Sequence, residues 1–176
     1  MTPVSIRPAT PADVPAITRI YAHAVKHGTA SFELDAPDEV EMARRMRALI
    51  DGSFPYLAAE ASGALLGYAY AGPYRTRPAY RFTVEDSVYV DSGAQRRGVG
   101  RALLDRLIVE SERRGFRLMI AVIGDSDQKP SIELHRASGF DMVGTLRNVG
   151  YKFDRWLDTV LMQRVLGAGA TTKPTP

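Results

Sequence analysis

Residues 84–101, VEDSVYVDSGAQRRGVGR, combine an alternating strand pattern with a turn rich in glycine and arginine. A long helical pattern begins at the end of this stretch. Backbone N–H groups at a helix start favour anions, and glycines there let a phosphate approach the main chain. Arginine side chains add a charge that matches phosphate geometry. The stretch therefore predicts a phosphate-binding helix start.

Three kinds of phosphate loop compete for this stretch. A Walker loop needs G-x-x-x-x-G-K-[ST], which the sequence lacks. A dinucleotide-binding fingerprint needs a third glycine at the position that Leu103 occupies. The segment Gln95-Arg96-Arg97-Gly98-Val99-Gly100 resembles the Q/R-x-x-G-x-G/A pyrophosphate loop of the GNAT acetyltransferases, and a strand ending in Val88-Tyr89-Val90 precedes it at a suitable distance.

Further segments resemble one GNAT family in particular, the phosphinothricin/methionine sulfone N-acetyltransferases. They are residues 21–33, 70–80, 83–90, 134–135, 139–140, 144–146 and 150–156. The resemblance implies a single-domain α/β GNAT fold over residues 1–166 and acetyl-CoA as the donor. It also implies a homodimer, and acetylation of the α-amine of a small glutamate- or methionine-like amino acid.

Glu85 is the candidate general base. It alternates with the apolar residues Val84 and Val88, so it lies on the other face of its strand. An ammonium must lose a proton before it can attack a thioester, and a carboxylate in reach can accept that proton. The resembled family gives its glutamate this role, directly or through water. The alternative is an acid on the solvent face of a strand.

His135 is the second catalytic candidate. It lies four residues before Gly139, near the position where many GNAT enzymes carry a tyrosine that protonates the leaving thiolate. The resembled family has histidine there. A histidine packed on a short helix is the alternative of about equal weight.

The resemblance also implies a set of substrate-binding residues. Arginine binds a carboxylate in a bidentate manner, which suits Arg75 or Arg77, and the sequence does not choose between them. Phe32 is either a substrate contact or a core residue. Lys152 and Trp156 lie in a C-terminal hairpin, which either reaches a neighbouring subunit's site or only completes the sheet. The full set is Phe32, Tyr74, Arg75, Thr76, Arg77, Tyr80, Asp86, Ser87, Lys152 and Trp156.

The cofactor-binding set follows the same resemblance. The backbone of Val88, Tyr89 and Val90 is expected to hold the pantetheine arm and polarise the thioester. The pyrophosphate is assigned to Arg96, Arg97, Gly98, Val99, Gly100 and Arg101. Gln128 and Ser131 complete the set, although Gln128 stands where the family typically has an asparagine, three residues before the serine.

The elements that position these residues follow from periodicity and turn signals. In the second predicted helix, Val40, Ala43, Met46 and Ile50 are expected to face the core. The order of elements predicts a mixed, mostly antiparallel sheet flanked by helices. Strands are predicted at 4–6, 56–60, 65–71, 83–91, 118–123, 141–147 and 156–165, and helices at 10–26, 38–50, 98–114 and 130–138.

Composition narrows the class of protein. The chain has 176 residues, 45% of them hydrophobic, with 23 basic and 20 acidic side chains and no cysteine. This length predicts one domain. Absence of cysteine excludes disulfides, thiolate metal sites and a cysteine acyl-enzyme, and no metal is expected. Residues 167–176, GAGATTKPTP, are too small and polar to pack and are predicted to be a disordered tail.

Charge and hydropathy exclude other partners. The two charge signs are mixed, so nucleic-acid binding is not expected. No apolar stretch is long enough for a membrane span or a signal peptide, which predicts a cytoplasmic protein.

Two alternative functions stay open. One is transfer to another amine, such as a protein N-terminus, a polyamine or an aminoglycoside, and the other is a non-catalytic sensor of acyl-CoA or amino acids. The paired arginines disfavour polycations, and Glu85 with His135 disfavours the sensor.

Overall fold

The computed structural model describes residues 3–174 as one mixed sheet with helices on both faces. The strands are β1 Ser5–Pro8, β2 Tyr56–Ala61, β3 Ala64–Pro73, β4 Thr83–Val90, β5 Leu118–Gly124, β6 Asp141–Lys152 and β7 Arg155–Val165. The helices are α1 Val14–His27, α2 Glu39–Asp51, α3 Val99–Arg113 and α4 Lys129–Ala137. Short 3₁₀ turns cover Pro11–Asp13, Pro78–Tyr80 and Ser92–Ala94.

The seven strands are ordered β1-β2-β3-β4-β5-β7-β6. Neighbouring strands in this part of the chain run antiparallel, except that β4 and β5 are parallel. A parallel pair requires a crossover, and α3 supplies it. The α/β class and the mixed, mostly antiparallel sheet predicted from the sequence are confirmed.

Two cores form because strand side chains alternate between the faces of the sheet. On one face, α1 and α2 cover Tyr56, Ala58 and Tyr68. On the other face, α3 inserts Leu103, Leu104 and Leu107 against the central strands. Each fully buried leucine contributes about 1.5–3 kcal/mol. The central strands are therefore held from both sides, which fixes the site that lies among them.

The prediction for the buried face of α2 is wrong at two positions. Val40 is 78% exposed and Ile50 is 43% exposed, whereas Met42 and Met46 are buried. The Asp38 carboxylate accepts a hydrogen bond from the Glu41 N–H and caps the helix. From that start, the helical repeat turns the i, i+4 pair of methionines toward the sheet.

Strand β6 continues past the predicted end at residue 147 and reaches Lys152. The pairing of β6 with β7 shifts in register between Leu146 and Gly150 and then resumes. Phe153 and Asp154 then turn the chain with φ angles of 53° and 56°. This is the positive-φ geometry of a tight hairpin, so β6 and β7 form one long hairpin.

Residues 167–174 continue from β7 in turns against the body of the domain. The Arg117 guanidinium donates hydrogen bonds to the Gly169 carbonyl at 3.3 Å and to the Thr172 hydroxyl at 3.0 Å. Residues 175 and 176 lie outside the described part of the chain. The disorder expected of the tail stays a prediction.

Candidate active site

The site is a cleft that opens where two parallel strands separate. β4 and β5 pair only from Thr83 opposite Leu118 to Asp86 opposite Ala121. β4 continues to Val90, still paired with β3 on its other edge. Beyond Asp86, its edge toward β5 therefore has no strand partner and faces a cavity of about 940 Å³. Free peptide groups along an open cleft can bind an extended ligand that carries amides.

One end of the cleft is closed by the start of α3. Gly98 precedes this helix with a φ of 79°, and Arg96 also has a positive φ of 60°. A side chain at Gly98 would meet no other atom, so the glycine serves backbone conformation and not packing. The positive φ angles before the helix and the free N–H groups of the first helical turn together form an anion-binding concavity.

The arginines of this turn are not equivalent. Arg96 and Arg101 line the cleft, whereas Arg97 is exposed and is not among its lining residues. The Arg101 Nε donates to the Asp105 carboxylate at 2.6 Å, one helical turn along. Of the predicted pyrophosphate residues, Arg97 is thus the one that this structure leaves outside the cleft wall; its role stays a prediction.

Asp86 and His135 form a buried pair in the wall of the cleft. His135 Nε2 lies 3.0 Å from Asp86 Oδ2, and His135 Nδ1 lies 2.7 Å from the Ser131 carbonyl oxygen. His135 is 4% and Asp86 is 7% exposed. The other Asp86 oxygen, Oδ1, is buried without a hydrogen-bond partner among the described residues. The sequence named both residues but gave no signal of their pairing, because they lie 49 residues apart.

The hydrogen bonds of this pair favour a protonated His135 ring. The Ser131 carbonyl and the Asp86 carboxylate can both accept hydrogen bonds, so this arrangement favours a proton on each ring nitrogen of His135. Burial opposes a charged ring, but the hydrogen bond and charge of Asp86, with the Ser131 carbonyl, outweigh it and raise the pKa of His135. His135 thus keeps its second proton to a higher pH than a free histidine does.

Glu85 lies on the opposite face of β4 from this pair. The same face carries Ser87, whose hydroxyl hydrogen-bonds Tyr70. Burial raises the pKa of Glu85, the Asp86 charge adds to the rise, and Arg75 opposes it. A carboxylate with a raised pKa is a stronger base, which is the property that deprotonation of an ammonium requires.

An exposed segment after β3 carries the predicted carboxylate-binding residues. Arg75 packs its guanidinium 5.0 Å from the centre of the Tyr74 ring, and Tyr80 meets the same ring at 5.8 Å. Thr76 and Arg77 are exposed in this segment. The charge of Arg75 lowers the pKa of Glu85, and the choice between Arg75 and Arg77 as carboxylate ligand stays a prediction.

Phe32 occupies a slot between two strands. A Cβ built on Gly150 of β6 would lie 2.4 Å from the Phe32 ring, and one built on Gly124 of β5 would lie 2.8 Å from it. The ring is 37% exposed. Phe32 is therefore packed against the sheet and partly open, and its contact with a substrate stays a prediction.

Lys152 and Trp156 lie in the β6–β7 hairpin in different surroundings. Lys152 is 4% exposed, and its ammonium donates to the carbonyls of Gly28 at 3.0 Å and Ser31 at 2.8 Å. Burial lowers its pKa. Trp156 is 62% exposed beside Tyr151. Lys152 thus contacts the loop between α1 and α2, and contact of either residue with a substrate stays a prediction.

The cleft fits the arm of acetyl-CoA. Its free β4 edge can bind amides, its unpaired Asp86 Oδ1 can accept a hydrogen bond, and its helix start can bind phosphate. Gln128 and Ser131 line it from the start of α4. Among residues 3–174, no group of three or more His, Cys, Asp or Glu side chains is arranged to hold a metal ion.

A cleft between separating parallel strands, with an anion-binding helix start at one end and a candidate base beside it, defines an acyl-CoA-dependent acyltransferase. Residues 6–161 match a family described as an acetyltransferase (GNAT) domain. The chain is an acetyltransferase and belongs to the GNAT family.

Within the GNAT family, the chain is similar to acetyltransferases named for particular amino-acid substrates. The chain is 56% identical over 162 residues to a phosphinothricin N-acetyltransferase of Alcaligenes faecalis, covering 92% of this chain and 82% of the relative. It is 40% identical over 163 residues to an L-methionine sulfoximine/L-methionine sulfone acetyltransferase of Salmonella typhimurium, covering 91% and 93%. A Sinorhizobium meliloti phosphinothricin acetyltransferase solved with AcCoA superposes with a TM-score of 0.96 at 46% identity, covering 99% and 94%. Within residues 3–174, no helix combines the length and the apolar character that a membrane span requires.

Proposed function

We propose that this enzyme transfers the acetyl group of acetyl-CoA to the α-amine of a small glutamate- or methionine-like amino acid. Phosphinothricin, methionine sulfoximine and methionine sulfone are the substrates that the relatives' names suggest. The observation that carries the proposal is the placement of Glu85 and the Asp86–His135 pair. They lie on opposite faces of β4 at the point where the cleft opens.

This placement separates the two proton transfers of the reaction. Acetyl-CoA supplies an activated acyl group when it is bound. On one face of β4, Glu85 accepts the proton of the substrate ammonium, aided by its raised pKa. On the other face, His135 releases its contact with Asp86 and gives its second proton to the departing thiolate, which leaves as the thiol. The amine attacks the thioester directly in this scheme, and a cysteine acyl-enzyme is excluded because the chain has no cysteine.

Substrate orientation follows from the surrounding charges. Arg75 lies close enough to influence Glu85 and can hold the substrate carboxylate while the adjacent ammonium faces the base. Peptide N–H groups on the free edge of residues 88–90 donate to the thioester oxygen, as in an oxyanion hole. Arg96, Arg101 and the first turn of α3 hold the pyrophosphate.

Thiol release from acetyl-CoA tests the proposal. The acceptor panel contains phosphinothricin, L-methionine sulfoximine, L-methionine sulfone, the common amino acids, a polyamine, an aminoglycoside and a peptide with a free N-terminus. We expect saturable turnover with the first three acceptors. Turnover only with the peptide, polyamine or aminoglycoside would overturn the substrate class, and acetyl-CoA binding without any turnover would favour a sensor.

We also propose that the enzyme is a homodimer formed through the β6–β7 hairpin. β6 is the last strand of the sheet, so its outer edge has no strand partner within the described chain. The hairpin exposes a band of large apolar side chains, which favours a protein interface. They are Met142, Val143, Leu146, Val149, Tyr151, Phe153 and Trp156.

A further inference from the structure

The loop between α1 and α2 packs beside the donor cleft. We use the name strap for its residues 28–33. Ala30 lines the cleft, and Phe32 fills the slot between Gly124 and Gly150. The Thr29 carbonyl lies so close to β5 that a Cβ on Gly124 would be 2.2 Å from it. The strap thus packs across the carboxyl end of β5, beside the cleft.

Two sets of contacts fix the strap to the sheet. The Lys152 ammonium holds the carbonyls of Gly28 and Ser31. The Phe32 ring packs between β5 and β6. Neither set reaches α4, the helix that carries the cleft-lining residues Ser131 and His135.

The link to α4 is a hydrogen bond from a residue assigned to the cofactor site by the sequence. Gln128 Nε2 donates to Thr29 Oγ1 at 2.9 Å, across a sequence separation of 99 residues. Thr29 is 6% exposed, so its hydroxyl has little access to water as a substitute partner. The amide donor is therefore committed to the strap, although Gln128 also lines the cleft.

We infer that Gln128 is a positioning residue that fixes the strap against the start of α4. The hydrogen bond thereby fixes the distance between the strap and α4 in the wall of the acetyl-CoA cleft. It also fixes the positions of Ala30 and Phe32, which belong to the strap. The inference extends the proposed function, since it concerns the same cleft. An asparagine at this position is one methylene shorter, so its amide does not reach Thr29 without movement of the strap. Glutamine is then the residue that the observed spacing requires.

The variants remove either the donor or the acceptor of this hydrogen bond and keep the approximate shape of the side chain. The variants are Gln128→Met, Thr29→Val and the double variant. Thr29→Ser is the conservative variant that keeps the hydroxyl. Thr18→Val is the matched control, because it removes a threonine hydrogen bond to the Val14 carbonyl in α1, outside the strap.

Two readouts apply to each variant: hydrogen exchange of peptides covering residues 28–33 without ligand, and acetyl-CoA affinity by calorimetry. We expect Gln128→Met and Thr29→Val each to speed exchange and weaken acetyl-CoA binding about fivefold, the loss typical of one hydrogen bond. The double variant should match either single variant. Thr29→Ser and Thr18→Val should resemble the wild type in both readouts.

Two results would overturn the inference. Weaker acetyl-CoA binding in Gln128→Met, with wild-type binding and exchange in Thr29→Val, would make Gln128 a direct cofactor contact. Additive effects in the double variant would show that the two residues act independently. Failure of the wild type to bind acetyl-CoA would instead refute the proposed function, and the exchange rates without ligand would still decide whether Gln128 holds the strap.

Discussion

At the scale of single residues, the strand alternation of β4 gives neighbouring carboxylates opposite surroundings. The charge of Arg75 acts on Glu85, whereas Asp86 is buried against His135 in the cleft. The sequence pattern was sufficient to assign Glu85 to a face, because alternation is a local property. Two acids that are adjacent in sequence can therefore serve two different proton transfers.

We predict that Glu85→Gln lowers kcat about 100-fold or more, with a smaller change in the KM of the amino acid. Glutamine keeps the shape and polarity of the side chain but cannot accept the proton. Steady-state thiol release measures both constants, and calorimetry with acetyl-CoA should give wild-type affinity. Turnover near that of the wild type would exclude Glu85 as the base.

We predict that Arg75→Gln raises the KM of the amino acid about 10-fold or more, because a charged hydrogen bond to the carboxylate is lost. Arg75 lowers the pKa of Glu85, so its removal should also move the acid limb of kcat/KM to higher pH. Arg77→Gln is the control and should leave the acid limb in place. A larger effect on both readouts from Arg77→Gln would reverse the assignment.

The Asp86–His135 pair makes stability depend on pH. The pKa of His135 in the folded state is raised above its ordinary value of 6.5. Its stabilising contribution is therefore complete below pH 6.5 and is lost as pH rises through the raised pKa. We predict that the free energy of unfolding, measured in urea, falls across this range.

Two variants isolate that pH dependence. Asp86→Asn and His135→Asn each remove the shared proton, so the decline specific to this range should be absent from both. A wild-type stability that stays level or increases above pH 6.5 would contradict the assignment of the extra proton to the pair.

At the scale of elements, local patterns were predictable and distant pairings were not. The strand, turn and helix of residues 84–113 lie together in sequence, so periodicity and glycine spacing were enough to identify them. Lys152, in contrast, binds carbonyls more than 120 residues away, and no pattern within β6 reports that contact. The α2 face was misassigned because its apolar residues fit more than one helical stripe, and only packing selects the methionines.

We predict that Gly150→Ala destabilises the enzyme by about 1–3 kcal/mol, since the new methyl group must displace the Phe32 ring. Gly144→Ala is the matched control on the same strand, where a Cβ meets no atom within 4 Å. Its effect should stay within about 0.5 kcal/mol.

Urea unfolding measures both glycine variants. Gly150→Ala should cost less stability in a Phe32→Ala background than in the wild type, because the ring that obstructs the new methyl group is then absent. Equal losses in Gly144→Ala and Gly150→Ala would show that the slot for Phe32 does not set the cost.

At the scale of the whole molecule, the sheet divides into a donor part and an exposed edge. The parallel pair β4–β5 with α3 and α4 forms the cleft, while β6 and β7 extend the sheet on the far side of β5. The hairpin also carries Lys152, which holds the strap. Any interface on the hairpin is thus connected to the active site through a single short segment.

We predict that the wild type is a dimer by light scattering and that Leu146→Asp makes it monomeric. Leu146 is 50% exposed in the apolar band, and a carboxylate there would be buried without a partner in a dimer. Val40→Asp is the control, because Val40 is more exposed but lies on α2. A monomeric wild type, or a dimer that persists in Leu146→Asp, would contradict the proposed interface.

The position of Trp156 has an optical consequence. It is the only tryptophan in the chain, and it lies 62% exposed at the start of β7, beside the hairpin turn. Its fluorescence emission therefore reports the hairpin and not the core. The emission maximum should shift to shorter wavelength when a second copy covers the apolar side chains of the hairpin. The cluster of stacked tyrosines between α1 and the sheet is the chromophore that senses the loss of the core. Assembly and unfolding can thus be followed separately in one unlabelled sample.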